Sequence, residues 1–324
     1  MIVRAALLGS LLLVTGSGVQ PETDAVTARF TAGTSARSIP FEFVHGEILL
    51  KVGVGGGPPS TFILDTGANM DVVSLQYAKA AGLSLERWVS GFVGIGEKPP
   101  EMHLVTDALT FSLPGVDVSD SQVFAISLDS TQDCLALAAA RQPGDVAPVI
   151  DGFLGAPFFR GLVVEIDYLQ RQIHLYDPSS YAYKGRGRSI PIEMDAMYTY
   201  VDAQVSAKGH RAAHAKLVVD TGAGALSLTK QFADAHGIMP PGDTLRPGKE
   251  CGSAGLSSDP TLVGTLDRLK IGHFTLRHPL TVFYQATASR TYDGLLGGDA
   301  LQNFTVIFDY SRQRMILEPV RHPK

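Results

Sequence analysis

This 324-residue chain has only two cysteines, one tryptophan and no long basic run. Cys134 and Cys251 fall in different halves at non-matching positions, and two cysteines do not make the disulfide framework of a small secreted scaffold. Two free buried thiols are the expected state, with a bridge between the halves as the competing arrangement. The net charge is −5 and basic residues are dispersed, so nucleic acid is not an expected partner. Charged residues make up 18% of the chain and hydrophobic residues 45%, a globular balance. Long amphipathic helical patterns are scarce, whereas 34 glycines and 19 prolines supply turns. Together these point to an all-β fold with a few short helices, long enough for two domains.

Apolar runs are short as well. Residues 5–14 are too few to span a bilayer, but with Arg4 ahead and Gly16-Ser17-Gly18 behind they have the layout of a signal peptide over residues 1–18. Export to the periplasm or the exterior is the expectation, with an uncleaved segment tethering the chain to a membrane as the alternative. Residues 19–37 are polar and rich in Thr, Ala and Ser, and read as a flexible segment.

The chain repeats itself. Phe62-Ile63-Leu64-Asp65-Thr66-Gly67-Ala68 returns as Leu217-Val218-Val219-Asp220-Thr221-Gly222-Ala223, and residues 63–83 align without a gap on residues 218–238. Ser38-Ile39-Pro40 returns as Ser189-Ile190-Pro191, and Asp151-Gly152-Phe153-Leu154-Gly155 as Asp293-Gly294-Leu295-Leu296-Gly297. The last echo continues from Val164-Glu165-Ile166-Asp167-Tyr168 to Val306-Ile307-Phe308-Asp309-Tyr310. A period this long indicates one duplicated unit, not a solenoid. The units run over residues 38–178 and 189–320, with a Gly/Pro-punctuated linker at 179–188. The first unit holds an insert somewhere in residues 84–150. Within each unit, Ser74 or Thr229 is placed to cap a short helix, over 75–81 and 230–236.

An apolar strand ending in a carboxylate is unusual, because a buried lone charge is costly. Duplicated units tend to pack about a pseudo-twofold axis, which brings equivalent residues together. If Asp65 and Asp220 meet there they cannot both ionise, and one proton is held between them. The ionised member can then take a proton from water while the protonated member donates to a carbonyl oxygen. This scheme needs no metal and no cofactor.

Asp-Thr-Gly-Ala after apolar residues, followed later by apolar-apolar-Gly, resembles the aspartic proteases. The Asp-Gly-x-Leu-Gly element before a strand ending in Asp-Tyr is most similar to their retropepsin-like branch in bacteria, here fused as two copies in a pepsin-like, bilobed arrangement. The resemblance spans nearly all of residues 38–319. It implies a bilobed acid-protease fold with two pseudo-twofold-related, barrel-like lobes. It also implies an aspartic endopeptidase acting on peptide or protein, with Asp65 and Asp220 as the catalytic pair and Thr66 and Thr221 gripping each other between the loops. Substrate contacts would come from Thr66, Gly67, Ala68, Thr221, Gly222 and Ala223. The resemblance also calls for a flap, whose tip would lie in Gly91-Phe92-Val93-Gly94-Ile95-Gly96, so that Gly94, Ile95 and Gly96 meet substrate. Gly252-Ser253-Ala254-Gly255 would be its second-half counterpart. With both halves in one chain, a monomeric pseudo-dimer is expected.

The bland alternative is a catalytically inactive duplicated peptide-binding protein of the same fold, in which both aspartates serve turns. A glycosidase would need carboxylates set wider apart. Asp167 and Asp309 each sit before Tyr at a strand end, and read as serving turn or surface pairing, not chemistry. His210 and His214 share a spacing that suits zinc on a helix, but Lys208-Gly209-His210-Arg211 reads as a hairpin turn.

Overall fold

The computed structural model describes residues 6–7, 26–88, 100–140, 145–285 and 291–320. The segment expected to be a signal peptide, apart from strand Ala6–Leu7, and the expected flap tip with Gly94, Ile95 and Gly96 lie outside the described residues. The described chain is mostly strand with a few short helices, and the strands form two large sheets.

Six strands join the two halves. Their order is Arg188–Pro191, Arg314–Pro319, Phe304–Asp309, Val163–Asp167, Gln172–Tyr176 and Ser35–Val44, so three come from each half. The central antiparallel pair places Glu165 opposite Ile307, with Val164 opposite Phe308 and Ile166 opposite Val306. Glu165 and Ile307 occupy the same place in the two sequence repeats. A pseudo-twofold axis therefore passes between them, as an isologous contact requires. The inner residues of this sheet, including Val164, Ile166, Val306 and Phe308, are buried in the main hydrophobic cluster.

Within each half the main chain follows one plan. Strand Ser60–Leu64 runs parallel to Gly152–Leu154, and Ala213–Val219 runs parallel to Gly294–Leu296 in the corresponding register. Each Gly-x-Leu strand also pairs antiparallel with a neighbour, Val72–Ser74 in the first half and Leu226–Thr229 in the second. Helices follow at Leu75–Ala80 and Lys230–Ala235. Ser74 Oγ accepts from the Tyr77 amide at 2.9 Å, and Thr229 Oγ1 from the Phe232 amide at 3.2 Å, so both expected caps are made.

Three expectations change. Cys134 and Cys251 are disulfide-bonded with Cα atoms 5.6 Å apart, in place of the two free thiols expected. The first-half insert contains helix Asp129–Ala139, which packs against the second-half hairpin of Glu250–Gly252 and Gly255–Leu256 and brings the sulfurs together. The second change concerns Gly252-Ser253-Ala254-Gly255, which is the turn of that hairpin. Ser253 and Ala254 are buried, so it is a strut bonded to the first half, with no exposed tip.

The third lies in the segment expected to be flexible, where residues 26–30 form a strand paired with Val116–Asp120 and residues 35–37 begin another. Val26, Ala28 and Phe30 pack on the core while Thr27 and Arg29 face outward. This period-two alternation is a strand signal that the Thr/Ala-rich composition concealed.

Candidate active site

The two Asp-Thr-Gly loops meet at the pseudo-twofold axis, and their hydrogen bonds are reciprocal. Thr66 Oγ1 donates to the Val219 carbonyl at 2.7 Å and accepts from the Thr221 amide at 3.0 Å. Thr221 Oγ1 donates to the Leu64 carbonyl at 2.7 Å and accepts from the Thr66 amide at 3.0 Å. Each hydroxyl thus satisfies a donor and an acceptor at the end of the opposite strand. Four such buried bonds, at about 1 kcal/mol net each, clamp the loops. Both threonines are buried and their hydroxyls are fully used across the axis.

Each loop is also tied to its own half by matching bonds. The Asp65 amide donates to the Leu154 carbonyl at 2.9 Å, and the Asp220 amide to the Leu296 carbonyl at 3.1 Å. The Ala68 carbonyl accepts from the Ala156 amide at 2.8 Å, and the Ala223 carbonyl from the Gly298 amide at 2.7 Å. Gly155 and Gly297 lie so close beneath the loops that a Cβ on either would collide with their carbonyls. The two apolar-apolar-Gly elements are therefore the floor on which the loops rest.

The side chains of Asp65 and Asp220 come together at the axis, both fully buried. Asp65 Oδ1 accepts from the Gly67 amide at 2.8 Å, and Asp220 Oδ1 from the Gly222 amide at 3.0 Å. Each carboxyl is thus bonded to its own loop's glycine and packs against the glycine of the other loop. A Cβ on Gly67 would lie 2.5 Å from Asp220 Cγ, and one on Gly222 would collide with Asp65. Only glycine leaves room for the approach.

The electrostatics follow from this packing. Burial, then the charge of Asp220 and the hydrogen bond between the two groups, raises the Asp65 carboxyl well above the ordinary carboxylate range. Burial also raises Asp220, but the bond from Asp65 and the amides of Gly222 and Ala223 oppose the rise. Both carboxyls are thus raised by burial, and they titrate as one coupled pair that holds a proton between them.

Three further acids that sequence reasoning passed over lie in the first half. Glu47 is buried close enough for its charge to act on Asp65 and to feel that of Asp220. Asp71 and Asp120 are both fully buried, and Asp71 Oδ1 accepts from the Gly155 amide at 2.6 Å. Burial raises both carboxyls, with the charge of Asp120 adding to the rise at Asp71. The available signal was an acid flanked by apolar residues, as in Met70-Asp71-Val72 and Gly46-Glu47-Ile48.

The other singled-out residues lie elsewhere. Asp167 Oδ1 accepts from the Gln170 amide at 2.9 Å, a turn contact. Asp309, at the start of the turn 310–312, is paired with Arg312 at 3.2 Å and Arg314 at 2.8 Å, as turn pairing requires, although it is fully buried and not on the surface. His214 is exposed on a strand beside Asp202 and Gln204, and His210 lies in the preceding turn.

Residues 203–303 match the family model described as gag-polyprotein putative aspartyl protease. The matched stretch holds the second Asp-Thr-Gly-Ala and the second apolar-apolar-Gly element. No curated protein matches the chain. The family match supports an aspartyl protease-like domain in the second half, and with it peptide hydrolysis in general.

Proposed function

We propose that the chain is an aspartic endopeptidase in which Asp65 and Asp220, one from each half, jointly activate a water molecule against a peptide bond. The observation that carries this reading is the reciprocal geometry of the loops, which brings two buried carboxyls together. Two carboxyls so placed cannot both ionise, which favours one proton held between them. Asp220 takes a proton from water, whose oxygen bonds to the peptide carbonyl carbon. Asp65 gives its proton to the carbonyl oxygen, producing a tetrahedral diol with no covalent link to the protein. Asp220 then gives its proton to the amide nitrogen while one diol hydroxyl returns a proton to Asp65. The carbon–nitrogen bond breaks, the amine and the new carboxylic acid leave, and the singly protonated pair is restored. The retropepsin-like type, the unit boundaries at 38–178 and 189–320 and the monomeric pseudo-dimer belong to this proposal, and so does a flap contributing Gly94, Ile95 and Gly96. The main-chain positions 66–68 and 221–223 are the proposed substrate contacts nearest the pair.

Export belongs to the proposal too. The Cys134–Cys251 bridge supports it, since disulfides persist in oxidising compartments. Cleavage of unfolded protein substrates at acidic pH by the wild type, Asp65→Asn and Asp220→Asn tests the proposal. Each variant should stay folded and lose at least about 100-fold in rate. Near wild-type cleavage by either one would overturn the assignment. Absence of cleavage by the wild type on any substrate would favour the inactive peptide-binding alternative.

A further inference from the structure

The hairpin formed by strands Ser35–Val44 and Glu47–Val54 ends in a two-residue turn of His45 and Gly46, both with positive φ. Its tip is seated on the other half. A Cβ on Gly46 would lie 2.5 Å from Gly224 Cα, in the loop that follows Asp220. Gly298, which opens a second-half helix, packs against the Gly46 carbonyl so closely that any side chain there would collide with it. The first residue after this turn is Glu47, only 5% exposed, and its Oε2 atom has no hydrogen-bond partner among the described residues. A carboxyl with an orphaned buried oxygen is costly at a purely structural position. The equivalent place in the second half, by strand register, is Tyr198, so the repeat itself does not require an acid there.

We propose that Glu47 is a positioning residue for the Asp65–Asp220 pair: a third buried carboxyl, set beside the pair by the hairpin, whose charge keeps the shared proton in place as pH rises. The inference rests on the proposed function for its purpose, but not for its measurement. Burial and then the charge of Asp220 push Glu47 up to about 8. Among the described residues, no lysine or arginine offsets this rise. The other titratable groups nearby are His45 on the same turn, Asp299 on the helix beneath Gly46, whose Oδ1 accepts from Gln302 at 3.2 Å, and the buried Tyr310, which feels both aspartates. Below its own titration Glu47 is neutral and leaves the pair alone. Above it, the new negative charge opposes loss of the proton from Asp65. Three carboxyls then hold their protons in sequence, and the singly protonated pair persists to higher pH than two carboxyls alone would allow.

The test is infrared titration of protonated carboxyl groups in the full chain. The band of the pair is identified as the one lost in Asp65→Asn, and its midpoint is compared between wild type and Glu47→Gln. The midpoint should fall by about one pH unit in Glu47→Gln, a roughly tenfold change in proton affinity. Glu47→Leu, a second charge-free variant, should move it the same way. An unmoved midpoint would make Glu47 merely structural, and a rise would reverse the proposed sign. Either overturns the inference. If the midpoint falls but the wild type cleaves nothing, the inference stands and the protease reading fails. If cleavage depends on both aspartates and the midpoint stays put, the reverse holds.

Discussion

The two halves share one main-chain plan and differ in what they bury. Their Asp-Thr-Gly loops make the same four tethering bonds, and the parallel strand pairs beneath keep the same register. Yet the first half buries Glu47, Asp71 and Asp120 in addition to Asp65, whereas the second places Tyr198 and Leu226 where the first has Glu47 and Asp71. The second half's other buried acids are Glu250 and Asp309, the latter neutralised by two arginines. The difference separates two tasks. Symmetry of the backbone is what brings two carboxyls to one axis, while the first half surrounds its aspartate with further buried carboxyls whose raised affinity for protons adds a response to pH.

The largest effect that sharpens this comparison comes from the one covalent link between unlike parts. Helix Asp129–Ala139 belongs to the first-half insert and is bonded to the second half across 117 residues of chain. Replacing both Cys134 and Cys251 with serine should cost about 2–4 kcal/mol in denaturant unfolding. A change under about 0.5 kcal/mol would mean that packing alone fixes the insert on the second half.

A somewhat smaller effect tests the symmetric part. Thr66→Val and Thr221→Val each strip a hydroxyl that satisfies two buried main-chain groups of the opposite half. Each should cost about 1–3 kcal/mol, and the two values should agree within about 0.5 kcal/mol, while the double variant costs less than their sum. Unequal costs would break the claim of equivalence.

The smallest effect tests the asymmetric part. Asp71 and Asp120 have raised carboxyls in the fold, so they favour the folded state below the ordinary carboxylate range. That contribution is lost as pH rises through their folded values. Thermal melting of the wild type should therefore weaken as pH rises from the ordinary carboxylate range, by on the order of 1 kcal/mol or more. Asp120→Asn, which can donate to Asp71 without a titrating proton, should flatten that slope. An unchanged slope would show that this pair is not the pH-sensitive element of the first half.

The repeat, the pairing of Asp65 with Asp220 and the caps at Ser74 and Thr229 were all legible in the chain. Each is written in local residue order, and duplication doubles the signal. What escaped was whatever depends on distant partners. The bond between Cys134 and Cys251 needs the insert helix to reach a hairpin of the other half, and no local pattern encodes that reach. Glu47, Asp71 and Asp120 look like ordinary strand-end acids until their burial is known. Val26–Phe30 was masked for a different reason: its composition resembles a linker, and only its alternation marks it as a strand.

The central claim is that the two loops form one site sharing one proton. Calorimetric binding of a peptide carrying a statine-type hydroxyl, which mimics the tetrahedral diol, tests it most directly. The wild type should bind the peptide at acidic pH, and both Asp65→Asn and Asp220→Asn should weaken binding by at least about 100-fold. Undiminished affinity in either variant would mean that the aspartates act separately and would contradict the account.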